Sequence, residues 1–100
     1  MSLLIAGTVR VPPENLDGFR PHMLAMLAAS RAEEGCLEYA YAVDVVEPGL
    51  IRIFEVWRDQ AAIDAHFQTP HMATWRAAWP SFGVSDRRLF AYDVAQTRPL

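Results

Sequence analysis

The sequence predicts an α+β fold in which four strands form one antiparallel sheet and helices cover a face of it. Three observations carry that prediction. Residues 36–46 alternate Leu37, Tyr39, Tyr41, Val43 and Val45 against Cys36, Glu38, Ala40, Ala42 and Asp44, which is the period of a strand. A Glu47-Pro48-Gly49 turn joins this segment to LIRIFEVWR at 50–58, so that 36–58 reads as a hairpin. From Glu14 onward, Leu16, Phe19, Met23 and Leu27 recur at the three- and four-residue spacing of a helix.

The remaining elements follow in order. Segment 3–11, LLIAGTVRV, is rich in β-branched residues and is stopped by Pro12-Pro13, so it reads as the first strand. Pro21 inside the first helix is expected to kink it. Glu33-Glu34-Gly35 ends that helix, with glycine in the stop position. Asp59 is an N-cap for a short helix through Phe67, and Thr69-Pro70 opens another. This last helix places Met72, Trp75, Arg76 and Trp79 along one side before Pro80 stops it, and RRLFAYDVA at 87–95 is the closing strand. The order β-α-β-β-α(α)-β is the split β-α-β, ferredoxin-like arrangement. Strand 50–58 is apolar on both sides, with Ile51, Ile53 and Trp57 on one and Leu50, Phe54 and Val56 on the other. An antiparallel sheet of that kind needs cover on both faces, and packing sheet to sheet with a second copy supplies it.

One hundred residues make a single domain, 1–100. An apolar content of 52% excludes disorder born of low hydrophobicity. A net charge of −3 argues against a nucleic-acid or anionic-membrane partner, which leaves a basic patch. The lone Cys36 excludes an intrachain disulfide and fits a reducing compartment, so a cytoplasmic location is expected. The apolar start, MSLLIAGTVRV, lacks a basic lead-in and is broken by Gly7, Thr8 and Arg10; neither a secretion signal nor a membrane span is expected there.

The stretch CLEYAYAVDVVEPGLIRIFEVWRDQAAIDAHFQTPHM resembles the core of the antibiotic biosynthesis monooxygenase (ABM) family. The residues carrying the likeness are Glu34-Gly35-Cys36, Tyr39, the Glu47-Pro48-Gly49 turn, Glu55-Val56-Trp57, and Asp64-Ala65-His66-Phe67 with Thr69-Pro70-His71. The resemblance implies a dimeric α+β barrel, two ferredoxin-like sheets packed face to face. It also implies one of several activities: cofactor-free oxidation of phenols or quinols, heme degradation, or isomerisation of small signalling sugars. A non-catalytic module that binds a small ligand is the reading from another class. Heme-degrading members use an Asn, a Trp and a His where this chain has Thr8, His66 and Arg76, so heme turnover is not expected. Members that oxidise aromatic polyketides use an Asn, a Trp, a Tyr and an Arg. Trp57 and Arg76 match that set, while Ile53 and Ile63 stand at the other two positions.

Dioxygen is a triplet and reacts slowly with singlet molecules unless they first give up one electron, which a phenol does far more readily as its anion. A cofactor-free oxygenase therefore needs a base, a group to hold the oxyanion, and a dry aromatic pocket. His66, beside Ile63 and Phe67, is the candidate base; the alternative is a helix-edge histidine bonded to a backbone carbonyl. Arg76 is the candidate oxyanion partner, or a snorkelling arginine paired with an acid. Glu55 shares its strand face with Ile51, Ile53 and Trp57, so it is either an acid/base of raised pKa or half of a buried hydrogen-bonded pair. Trp57, Trp75, Tyr39, Trp79, Tyr41 and Tyr92 are candidate ring-binding walls or plain core, and His71 is a candidate ligand contact or a cap. On one continuous helix, His66 and His71 would point about 140° apart, so no metal site and no cofactor are expected; only the break at Pro70 could alter this. No nucleophile elbow surrounds any serine, the glycines are too scattered for a phosphate loop, and Cys36 has no basic neighbour to activate it.

Overall fold

The hairpin and the two strands that flank it in space set the frame. In the computed structural model, which describes residues 2–100, β1 (Ser2–Arg10) lies at the centre of the sheet. It pairs antiparallel with β3 (Leu50–Trp57) on one side and β4 (Ser85–Val94) on the other. β2 (Cys36–Val43) completes the order β2-β3-β1-β4. Helices α1 (Leu16–Arg31), α2 (Gln60–Phe67) and α3 (Pro70–Phe82) cover one face. Among the described residues no helix is long and apolar enough to cross a membrane.

Period two explains the sheet. Ile51, Ile53, Glu55 and Trp57 of β3 face the helices and are buried, as are Leu3, Ile5 and Val9 of β1 and Tyr39 of β2. Phe19, Met23 and Met26 of α1 fall on a helical stripe and fill the layer between. The opposite face of the sheet carries an apolar patch without helices: Ala6 lies between Phe54 and Phe90, and Leu4 between Val56 and Tyr92. Phe90 and Tyr92 are more than half exposed there. This places Tyr92 on the open face, away from the helices.

Some boundaries differ from the sequence expectation. β2 ends at Val43, because the Asp44 carboxylate accepts from the backbone N–H groups of Val46 and Glu47 and folds the chain away, leaving Val45 exposed. Pro80 lies inside the last turns of α3; Gly83, at φ 68°, is the left-handed residue that stops it. Pro21, by contrast, lies inside a single α1, one helix as expected. The caps of α2 and α3 are as read, with Asp59 accepting from Ala62 N and Thr69 from Met72 N.

Gly35 has a different role from the helix stop expected of it. Its φ is not left-handed; a Cβ there would sit 2.3 Å from the Cβ of Ala62. The glycine is needed for close approach, letting the start of β2 touch α2, and its carbonyl accepts from Arg58 N at 2.9 Å. Gly35→Ala should therefore force α2 away from the sheet and cost about 1–3 kcal/mol, the usual range for overpacking. Chemical denaturation checks this, and a variant as stable as the parent would contradict it.

Candidate functional site

A cavity of about 220 Å³ opens between the sheet and helices α2 and α3. Its size is below the roughly 300–1,000 Å³ of sites for drug-sized ligands, so its occupant is small. β3 delivers Ile53 and Glu55 to the floor. Glu55 is 4% exposed, and its Oε1 accepts from Trp57 Nε1 at 2.9 Å. Burial pushes the carboxyl up to about 7; the Trp57 N–H and the positive charge of Arg87 oppose that rise, and the negative charge of Glu33 adds to it. A carboxyl that changes protonation near neutrality can serve as a proton donor or acceptor.

The apolar stripe of α2 carries Ala62, Ile63 and His66 inward. The His66 ring lines the cavity at 2% exposure, packed on Trp57 with ring centroids 4.6 Å apart. Its Nδ1 lies 2.5 Å from Glu33 Oε2, and the same oxygen lies 2.8 Å from His71 Nε2. An ionised carboxylate only accepts, so each histidine donates its N–H to Glu33. That fixes the His66 tautomer and leaves the lone pair on Nε2. Burial is the main cause holding the His66 pKa below its usual value; the bond and charge of Glu33 oppose it, while His71 and Arg76 lower it further. The imidazole is thus kept neutral, the form that can accept a proton.

Aromatic side chains wall the cavity. Trp75 stacks between Phe19 (5.0 Å, 22°) and Tyr41 (5.5 Å, 14°) and meets Trp79 edge-on. The Tyr39 and Tyr41 hydroxyls share a hydrogen bond of 2.9 Å. Burial raises both phenol pKa values, so both stay protonated. At the rim, the exposed Arg76 places its guanidinium 5.5 Å above the Phe67 ring, and Arg87 reaches in from β4.

Tyr39, Glu55, His66, Trp75 and Arg76 are thus brought to one cavity. Trp57 is not: it is fully buried behind Glu55, as packing and as a hydrogen-bond donor to that carboxyl. His71 is also outside, turned toward Glu33. The 140° divergence of one continuous helix does not apply to His66 and His71, because the break before Pro70 puts them on separate helices. The Thr69 hydroxyl donates to the His66 carbonyl at 2.7 Å across the break and the two rings converge on Glu33. These three residues are the donor set able to hold a metal ion. Sequence reading missed Glu33, which it used only as a helix end, and Arg87. Strand parity held the signal for Arg87, since Arg87, Leu89 and Ala91 alternate with Arg88, Phe90 and Tyr92.

Comparison with known proteins agrees with this architecture. Residues 2–78 match the family described as antibiotic biosynthesis monooxygenase. The Synechocystis protein sll1783 is 32% identical over 98 residues, covering 98% of this chain, which in turn spans 67% of that relative's length. A crystal structure from Deinococcus radiodurans superposes with a TM-score of 0.89 at 25% identity, covering 100% of this chain and 98% of the other. PA3566 from Pseudomonas aeruginosa gives 0.80 at 29% identity, with 94% of each chain covered. The two-layer α+β fold and the match over residues 2–78 together place this chain in the ABM family.

Proposed function

We propose that the chain is a cofactor-independent monooxygenase that oxidises a small phenolic or quinol-like molecule with dioxygen. The observation supporting this most directly is the pairing of a carboxylate-oriented histidine, His66, with the buried Glu55 in one small aromatic-walled cavity. His66 Nε2 takes the phenol proton, and Arg76, with Arg87 lining the same cavity, holds the resulting oxyanion. The phenolate gives one electron to dioxygen, and the radical pair collapses with formation of a C–O bond to a ring peroxide anion, which the His66 imidazolium protonates to the hydroperoxide. Breaking the O–O bond, with loss of the proton on that carbon, leaves a quinone carbonyl and one water. One oxygen atom thus enters the product and the other leaves as water: Glu55 gives its proton to the departing hydroxide and is reprotonated by the proton lost from the ring carbon. Tyr39 and Trp75 contact the ring, and the aromatic walls keep the intermediate dry.

Two coarser features belong to the same proposal. The patch of Leu4, Phe54, Val56, Phe90 and Tyr92 is the face through which two copies pack into a homodimer. The free Cys36 is consistent with a cytoplasmic setting.

Oxygen uptake with a panel of phenols and quinols, with no flavin, heme or added metal, tests the activity. Uptake above the autoxidation rate is expected, falling about 10²–10⁴-fold in His66→Ala. Arg76→Ala should lose about 2–4 kcal/mol of transition-state stabilisation, with Arg76→Lys restoring it only in part. Uptake no faster than autoxidation across the panel would overturn the reading.

The Glu55 proton gives a stability test. The folded chain holds it up to about pH 7, whereas the unfolded chain releases it near 4.5. Stability from this group is complete below the unfolded value and is lost as pH rises through the folded one. Glu55→Gln stays neutral and still accepts from Trp57. It should flatten that decline and be the more stable form above about pH 7, by on the order of 3 kcal/mol. Urea midpoints across the pH range check this; parallel curves for the two proteins would contradict it.

For the dimer, light scattering should give about twice the 11.3 kDa chain mass. Phe90→Asp, on the open face, should shift the chain to monomer or aggregate.

A further inference from the structure

Glu33, His66 and His71 form a second constellation behind the cavity wall. Their donor atoms all lie within 4.8 Å of one another and come from three separate places: the α1–β2 connection, α2, and the first turn of α3. Two imidazoles and a carboxylate are the donor set that suits borderline divalent ions such as zinc. Zinc bonds of about 2.0–2.2 Å in a tetrahedron hold their ligand atoms about 3.3–3.5 Å apart. The 2.5 and 2.8 Å contacts to Glu33 Oε2 would need to open by no more than about 1 Å. Access is one-sided. The side chains of Glu33 and His71 are 16% and 24% exposed, against 2% for His66, so an ion arrives from solvent at Glu33 and His71 and meets His66 last. Among the residues bordering the cavity only His66 belongs to this cluster, so the ion sits behind the wall and does not face the substrate.

We propose that Glu33, His66 and His71 bind one divalent ion of the zinc class, and that its binding reversibly inhibits the reaction. The inhibitory half rests on the reading of His66 as the base. An ion on Nδ1 requires that nitrogen's lone pair, so the ring proton moves to Nε2. His71 undergoes the complementary shift, from Nε2–H to Nδ1–H. No proton is gained or lost overall, yet the Nε2 lone pair that would take the substrate proton is gone. Magnesium, which favours an octahedron of oxygen donors, finds too few here.

Calorimetric titration of the metal-free 100-residue chain with Zn²⁺ tests the site. One ion per chain is expected, with affinity falling at least about 30-fold in His71→Ala and in Glu33→Gln and staying unchanged in His22→Ala, whose ring lies against Phe19 and Phe82. Circular dichroism confirms that each variant is folded, and Mg²⁺ should give no binding. Absence of one-to-one binding, or binding indifferent to both cluster substitutions, would overturn the site. In the oxygen-uptake assay Zn²⁺ should suppress wild-type turnover, with His71→Ala needing at least about 30-fold more ion. Zinc held by the cluster without suppression would remove the inhibitory role and leave the ion site standing. If no substrate supports uptake, the oxygenase reading falls while the titration still decides the site.

Discussion

Burying an imidazole at 2% exposure in a layer of Trp57, Tyr39 and Phe67 is tolerable only if its N–H has an acceptor, and Glu33 is that acceptor. Much of the local backbone follows from this requirement. Gly35 lets the segment after α1 come against α2, which carries Glu33 to the ring. The Thr69 cap breaks the chain between α2 and α3 so that His71 can bind the same carboxylate oxygen. Removing Glu33 would leave two histidine donors facing a missing acceptor, a larger disturbance than losing one surface ion pair.

The second buried polar group is handled differently. Glu55 has one strong donor, Trp57 Nε1, and the more distant charge of Arg87, which is less than an ionised carboxylate needs at 4% exposure. It therefore responds by holding its proton to about 7. His66 and Glu55 thus solve the same desolvation problem with opposite chemistry: one is a neutral base, the other an acid on the edge of ionisation. Two titratable groups whose surroundings push them toward neutral forms, sharing one small cavity, are the arrangement from which acid and base roles arise.

The fold was legible because its signals are local. Alternation in β2 and β3, the turn at Glu47-Pro48-Gly49, and the caps Asp59 and Thr69 each act within a few residues. Where the reading went astray, a local rule met a tertiary demand. Gly35 looked like a helix stop because glycine usually serves there, whereas contact with Ala62 is what excludes a side chain. Pro80 was read as a terminator, yet it lies in the final turns, and Gly83 provides the left-handed residue that ends α3. The site was legible in part for the same reason. Glu55, His66 and Trp75 show themselves through strand or helix phase. Glu33 lies 33 residues from His66 and 38 from His71, so no spacing rule could join them. Trp57 shared the register of a pocket residue, but the wider indole filled the layer and left the cavity to Glu55 in front of it.

The sheet itself ties the cavity to the open face. β4 is an edge strand, and along it Arg87, Leu89 and Ala91 point toward the helices while Arg88, Phe90 and Tyr92 point away. A partner covering Phe90 and Tyr92 would therefore bear on the strand that carries Arg87, and with it on a positive charge that Glu55 senses. In an isolated chain this edge is held on one side only, by β1, with a register irregularity between Thr8 and Arg10. A sheet packed against the open face would restrain β4 from the side opposite the helices. Arg87 would then be held at a set depth in the rim, and the balance of charge that keeps Glu55 near neutrality would be held with it. The apolar open face and the polar cavity are two sides of the same strands, so a cover laid on one would be felt in the other.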